Sequence, residues 1–444
     1  MKEKTLNILY HIDELGRDAI VASALKRFGK KRKIKIFYCN KKVKKVIRNF
    51  NFYDAIILPS IPHYKFYFPD PKNLPKNIFI LPTEAVGQST GRLRRIQAKY
   101  FGIDYKRDEA WHKSVKAYLL WGKDHKNNII KLNPEYSSKC YVVGHPRISK
   151  YTTVQNSIKV NQNRNIKKIG LVCRFGAINP YDNRNNLNLI FKNMRFFNQK
   201  VPKFENTPKT LDAEDLSYTE LIDLRIFLTL IFSLDAKKFK IFIKPHPREN
   251  ADNWKKFFKE NNIKIEIEHK FTPFSLWLNK VDLIVSPPST SFYEILRGNK
   301  KLICIDKVIS KRKNHILKES DDNNQILEYI CRPKSISELI YLVKNDKKIK
   351  LKKGYLNIVK GQTNSVNKKD SIENIIEIIS LQTKVKRKKI IFMKKIINLI
   401  FVQIINELSA LKNIHREEQG SVFSLTIRKI YWINRLSKKL AKRI

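Results

Sequence analysis

The chain has 444 residues, with 90 Lys and Arg against 40 Asp and Glu for a formal charge of +50, and 42% of its residues are hydrophobic. That length holds two domains with cores of their own, and the apolar share excludes a disordered polybasic chain. With 13 glycines and 17 prolines, collagen-like and Gly/Pro-rich low-complexity architectures are excluded as well.

In chain order, Leu6 to Tyr10 is a short apolar run, Asp13 to Phe28 has helical spacing through Leu15, Ile20, Val21, Ala24 and Leu25, and Ile34 to Cys39 is a second strand. This is a β-α-β unit. Further brief apolar runs follow at Ala55 to Leu58, Ile78 to Leu81, Ala117 to Leu120 and Cys140 to Val143. Strands alternating with helical segments predict a parallel sheet. A polar stretch from Ser149 to Asn165 then reads as a linker.

A second alternating set begins at Ile169 to Cys173. It continues through a helix over Tyr218 to Leu234, a strand over Phe239 to Ile243, a helix over Asp252 to Asn261 and a strand over Ile263 to Ile267. Leu283 to Val285, a helix near Ser291 to Arg297, Leu302 to Ile305 and helices over Ser335 to Val343 and Ile372 to Leu381 complete it. The expected organisation is α/β, with one Rossmann-like domain over 1–150, a second Rossmann-like domain over 165–383, and a basic amphipathic helical tail over 384–444. Two such halves facing a cleft would present ligands at the strand carboxyl ends.

The tail carries sixteen Lys and Arg against three Glu, with apolar residues such as Ile390, Met393, Ile397 and Ile404 at helical spacing. A basic amphipathic helix of this kind suits an anionic membrane surface, and the alternative is docking on the protein itself. The first residues lack the apolar stretch of a secretory signal, and no run is long enough for a membrane span. The five scattered cysteines include no C-x-x-C pair, so they are expected to be reduced core residues in a cytoplasmic protein, peripheral on the inner face of the membrane.

Two runs carry the chemistry. In Lys244-Pro245-His246-Pro247-Arg248, an apolar strand ends in a histidine bracketed by prolines and flanked by cations suited to phosphate. In Ser286-Pro287-Pro288-Ser289-Thr290-Ser291, a strand again ends in Pro, and hydroxyls precede a helix that stops at Gly298. Free N–H groups and hydroxyls there suit an anion, while Ser291 and Glu294 also have capping-box spacing and would stabilise the helix without a ligand. In the first half, Glu84 follows the run Phe79 to Leu81 and could take a proton from an acceptor hydroxyl, or be a solvated loop carboxylate. Asp13, Glu14, Arg17, Arg174 and the pair His145 and Arg147 are further candidates after strands. No D-x-D stands at a strand end and no H-E-x-x-H occurs, so no metal site and no metal cofactor are expected. Gly87-Gln88-Ser89-Thr90-Gly91 matches G-x-S-x-G but lies well after its strand, against a serine hydrolase.

These residues, with Leu81-Pro82-Thr83-Glu84, Trp121-Gly122 and Gly144-His145-Pro146-Arg147, resemble the bacterial surface carbohydrate biosynthesis proteins, a family with a glycosyltransferase-B-like fold, from about Leu6 to Leu381. Ala85 and His145 stand where that family usually has Gly and Asn. More distantly, the chain is similar to bacterial sialyl-, polysialyl- and Kdo-transferases. That resemblance implies Glu84 as base, His246 as the donor-phosphate contact and Ser289 and Thr290 as the remaining phosphate ligands; from the motifs themselves, Lys244, Arg248, Arg174, Ser286, Ser291 and Glu294 are expected around the donor. The implied activity is metal-independent transfer of a sugar from a nucleotide-sugar, such as a CMP-linked acidic sugar, to a glycan or lipid-linked acceptor. Competing readings are CDP-glycerol-type glycerophosphotransfer, sugar-nucleotide epimerisation, and a non-enzymatic RNA-binding or scaffold role. The motifs lie at strand ends instead of on a sheet face, which speaks against nucleic acid.

Overall fold

The computed structural model describes residues 5–13, 15–39, 47, 53–83, 105–132, 134–152, 166–180, 212–269, 272–308, 325–364 and 369–383. Glu14, Glu84, most of the polar linker and the whole basic tail from Lys384 lie outside the described residues. The described residues form two compact units, one built from residues up to 83, 105–152 and 360–383, the other from 166–359.

The first unit holds a six-stranded parallel sheet: β1 (Leu6–His11), β2 (Ile34–Cys39), β3 (Ala55–Leu58), β4 (Ile78–Ile80), β5 (Val115–Leu120) and β6 (Cys140–Val142), in the order β2-β1-β3-β4-β5-β6. β1 pairs with β2 on one side and β3 on the other, so the order of connection reverses beside it. Inner strands such as β3 and β4 are buried at every position, as expected when helices cover both faces. Alternate residues feed two cores. Ile8, Tyr10, Ile57 and Phe79 face α1 (Leu15–Lys31), while Leu9, Ile56, Leu58 and Ile80 face α2 (Ile61–Tyr67). The helices α3 (Tyr105–Ser114) and α4 (Lys123–Leu132), which the periodicity does not predict, flank β5.

The second unit holds a five-stranded parallel sheet of β7 (Lys167–Val172), β8 (Phe239–Lys244), β9 (Glu266–Ile267), β10 (Leu283–Ser286) and β11 (Lys301–Cys304), in the order β11-β10-β7-β8-β9. Here the reversal falls between β7 and β10. Long α5 (Asp212–Phe232) crosses from β7 to β8, and α6 (Ala251–Glu260) from β8 to β9. Asn250 caps α6 by accepting from the Asp252 N–H, and α7 (Phe274–Leu278), α8 (Phe292–Arg297) and α9 (Ile336–Lys344) complete the unit.

The chain returns to the first unit within α10 (Tyr355–Thr363). The last described helix, α11 (Ser371–Gln382), corrects the grouping read from sequence: it is not part of the second half but packs Ile372, Ile375, Ile376 and Ile379 into the first core. Full burial of four isoleucines favours this docking by roughly 6–12 kcal/mol before entropy is counted. Asp370 fixes the helix start, accepting from its own Ile372 N–H and from the Ser149 hydroxyl and Lys150 N–H of the loop after β6. An apolar stripe specifies that a helix docks, not which sheet receives it, so sequence order misled here.

Candidate functional site

The candidate site lies where β10, β7 and β8 end side by side. β7 and β8 pair Val172 with Lys244, and β10 and β7 pair Val285 with Leu171, which sets Arg174, His246 and the Pro287-Pro288-Ser289 run at one level beyond the sheet. This is the topological switch point of the second sheet, where α/β folds take ligands. The three loops are tied together. Arg174 donates through Nη1 to the Pro288 carbonyl at 3.4 Å, and Gly176 leaves only 3.2 Å between the place of a Cβ and the Arg248 Cβ.

Two acidic side chains that the sequence reading did not single out hold these loops. Glu249 is fully buried, and its carboxylate accepts from the Phe175 N–H at 2.7 Å, the His246 N–H at 3.0 Å and the Trp254 indole N–H at 2.9 Å. Burial pushes its carboxyl up to about 7, with those three donors working in the opposite direction. Glu220, on α5, accepts from the Ala177 and Ile178 N–H groups, and burial raises it to about 8. One turn further on, fully buried Asp223 receives Arg174 through Nε at 3.2 Å and Nη2 at 3.0 Å. The available signal was the presence of acids three residues apart inside an apolar helix.

His246 is half-buried, and its Nδ1 accepts from the Arg248 N–H at 3.2 Å. In the neutral ring that bond assigns the proton to Nε2, which makes that nitrogen an N–H donor. Arg248 is exposed. Lys244 is buried, its ammonium donates to the His269 carbonyl at 3.2 Å, and burial brings it down to about 8. Ser286 is fully buried and donates to the Pro287 carbonyl. Ser289 and Thr290 are half-buried, and Ser289 Oγ lies 2.9 Å from Ser291 Oγ and accepts from the Ser291 N–H. The expected capping box does not form: Ser291 occupies the N-cap of α8 with helical backbone angles and makes no side-chain cap bond, because its hydroxyl is engaged by Ser289. Glu294 is buried within α8.

In the first unit, the Gly144-His145-Pro146-Arg147 run repeats the same local turn, with His145 Nδ1 accepting from the Arg147 N–H at 3.1 Å. Its environment differs. The His145 ring is buried against Trp121, with centroids 3.9 Å apart, and burial holds it well below the usual imidazole range. It is a core residue, and Arg147 lies over the Trp121 ring with its guanidinium carbon 5.7 Å from the centroid. Asp13 follows β1, and one carboxylate oxygen is 3.3 Å from Arg17 Nη2. Among the described residues, no cysteine is in a disulfide and no helix is long and apolar enough to cross a membrane.

Two Rossmann-like parallel sheets with ligand-presenting loops at a switch point make this a GT-B-like α/β protein. No known family profile matches the sequence, and no curated protein does. Among solved structures, the chain is similar to the wall teichoic acid polymerase TagF with a TM-score of 0.50 at 11% identity, over 85% of this chain and 89% of that one. It is also similar to a UDP co-structure of MnaA from S. aureus (TM-score 0.48, 11% identity, 86% and 99% covered) and to a UDP-GlcNAc 2-epimerase from Neisseria meningitidis bound to UDP-GlcNAc (0.46, 12%, 85% and 100%). At 11% identity the likeness to TagF shows the shared fold alone.

Proposed function

We propose that the chain is a glycosyltransferase of cell-surface glycan synthesis, which takes a sugar from a nucleotide-sugar donor, such as a CMP-linked acidic sugar, to a glycan or lipid-linked acceptor. The observation that carries this reading is the convergence of His246, Arg248, Ser289 and Thr290 on the switch point of the second sheet, braced by Arg174 and Glu249. Leaving-group departure puts negative charge on a phosphate. The Nε2–H of His246, the Arg248 guanidinium and the two hydroxyls are groups that stabilise such charge as it develops, without calling on a metal. Lys244 contributes through its field, since its ammonium is turned to the His269 carbonyl. Ser286, Ser291 and Glu294 shape the loop and the start of α8 from buried positions. Glu84 takes the acceptor proton in this mechanism.

In this reading the protein works at the inner face of the membrane, with the basic residues 384–444 as its contact to anionic lipid. Calorimetric titration of the full chain with CMP, UDP and CDP is the first test. Binding of one nucleotide, weakened at least tenfold in His246→Ala, supports the reading; no binding of any refutes it. A second reading, glycerophosphotransfer from a CDP-linked donor, is favoured by the likeness to TagF, whose solved form includes a CDPG soak, and would use the same phosphate contacts. Release of CMP from CDP-glycerol, with none from CMP-linked sugars, would select it. Turnover without an acceptor would select an epimerase.

A further inference from the structure

At the carboxyl end of β1 the first sheet has a switch point of its own, and three side chains meet there. His11 ends β1, Asp13 follows two residues later, and His63 stands in the first turn of α2, which leads away from neighbouring β3. Asp13 Oδ1 lies 3.5 Å from His63 Nε2 and 3.9 Å from His11 Nε2, and one ligating atom from each of the three residues falls within 4.8 Å of the others. Both rings are oriented from behind. His11 Nδ1 is 2.8 Å from the Tyr67 hydroxyl, and His63 Nδ1 is 2.8 Å from Ser60 Oγ, so each Nε2 is left on the Asp13 side. His11 is 2% exposed and its Nε2 has no hydrogen-bond partner. A buried, unpartnered ring nitrogen aimed at a carboxylate is costly unless something fills the space between them.

We propose that His11 Nε2, His63 Nε2 and Asp13 Oδ1 form a binding site for one divalent first-row transition metal ion, with Tyr67 and Ser60 as its orienting outer groups. Two imidazoles and one carboxylate are a ligand set that holds such ions and leaves a position open to water or substrate. The outer hydroxyls fix the ring orientations, as outer groups do at known centres. Ligands about 2.0 Å from a tetrahedral ion stand about 3.3 Å apart, so the 3.5 and 3.9 Å separations from Asp13 need a small contraction, and the three ligating atoms, all within 4.8 Å of one another, need to close by up to about 1.5 Å. Arg17 approaches the other carboxylate oxygen, Oδ2, at 3.3 Å and also pairs with Asp18 at 2.9 Å.

The proposal stands apart from the second-unit chemistry, and its test uses the metal alone. The full chain, stripped with chelator and dialysed, is titrated with Zn²⁺ by calorimetry and with Co²⁺ by visible absorption. One equivalent is expected with a dissociation constant in the micromolar range or tighter. His63→Gln and Asp13→Asn should each weaken uptake at least 100-fold, and His246→Ala should leave it unchanged. X-ray absorption at the zinc edge of the unsubstituted chain should report two imidazoles and a carboxylate oxygen, a reading that does not depend on how the variants fold. The proposal is overturned by failure of the stripped chain to take up either ion, by uptake indifferent to both substitutions in folded variants, or by a thiolate-containing shell.

Discussion

Glu249 gives a quantitative test of how the second-unit loops are held. Its carboxyl is raised from an ordinary 4.5 to about 7 by complete burial, despite three N–H donors. For an acid whose folded pKa is raised, the native state binds the proton more tightly than the unfolded chain. Its contribution is therefore full below about 4.5 and is lost as pH rises through about 7. The span corresponds to about 3 kcal/mol. In Glu249→Gln the amide oxygen can keep the Phe175 and His246 N–H groups, but its NH₂ meets the Trp254 indole N–H, donor against donor, at a cost of about 1–3 kcal/mol. The variant should thus be less stable than the unsubstituted protein at pH 5. By pH 8.5 the difference should shrink by about 3 kcal/mol and vanish or reverse. Urea denaturation of both proteins at a series of pH values measures this directly. Two stability curves that stay parallel from pH 5 to 8.5 would refute the argument that burial outweighs the three donors.

Other expectations concern the brace, the packing and the surface. Arg174→Ala removes the guanidinium from fully buried Asp223 and should cost about 3 kcal/mol in urea denaturation, with the double variant Arg174→Met, Asp223→Leu recovering most of it. Gly122→Ala would drive a Cβ into the Gly361 carbonyl oxygen and the Gln362 carbonyl carbon. Because backbone must move to admit it, a loss of about 3 kcal/mol or more is expected, seen as a lowered Tm. His246→Ala should reduce turnover at least about 100-fold with Tm changed little, since the ring is half-buried and makes no core. The full chain should sediment with anionic vesicles in low salt and be released in 0.5 M salt; equal binding to neutral vesicles would exclude an electrostatic contact through its basic residues.

Much of the fold is legible in the sequence because strand runs such as Ala55–Leu58 and Ile78–Ile80 are short, apolar on both faces and buried at every position. Short helices with mixed faces escape that reading: α4 carries Lys123, Asp124, His125 and Lys126 in its first turn and shows little apolar period. The His63 member of the proposed metal site is equally invisible. It is separated from Asp13 by fifty residues and reaches it only because β1 and β3 are neighbours in the sheet. Glu249 was visible as the residue after Arg248, but its three partners come from two loops and a helix.

The two His-Pro-Arg runs divide what sequence and tertiary structure decide. Proline fixes φ after each histidine, and the ring nitrogen then accepts from the arginine N–H two residues on, at 3.1 Å for His145 and 3.2 Å for His246. That turn follows from the local residues alone. Whether the histidine can meet a ligand does not: His145 is sealed under Trp121, while His246 stays half-buried beside Arg248. Local covalent geometry fixes a side chain's near partners, whereas its exposure depends on residues distant in the chain that only packing of the sheet and its helices brings over it.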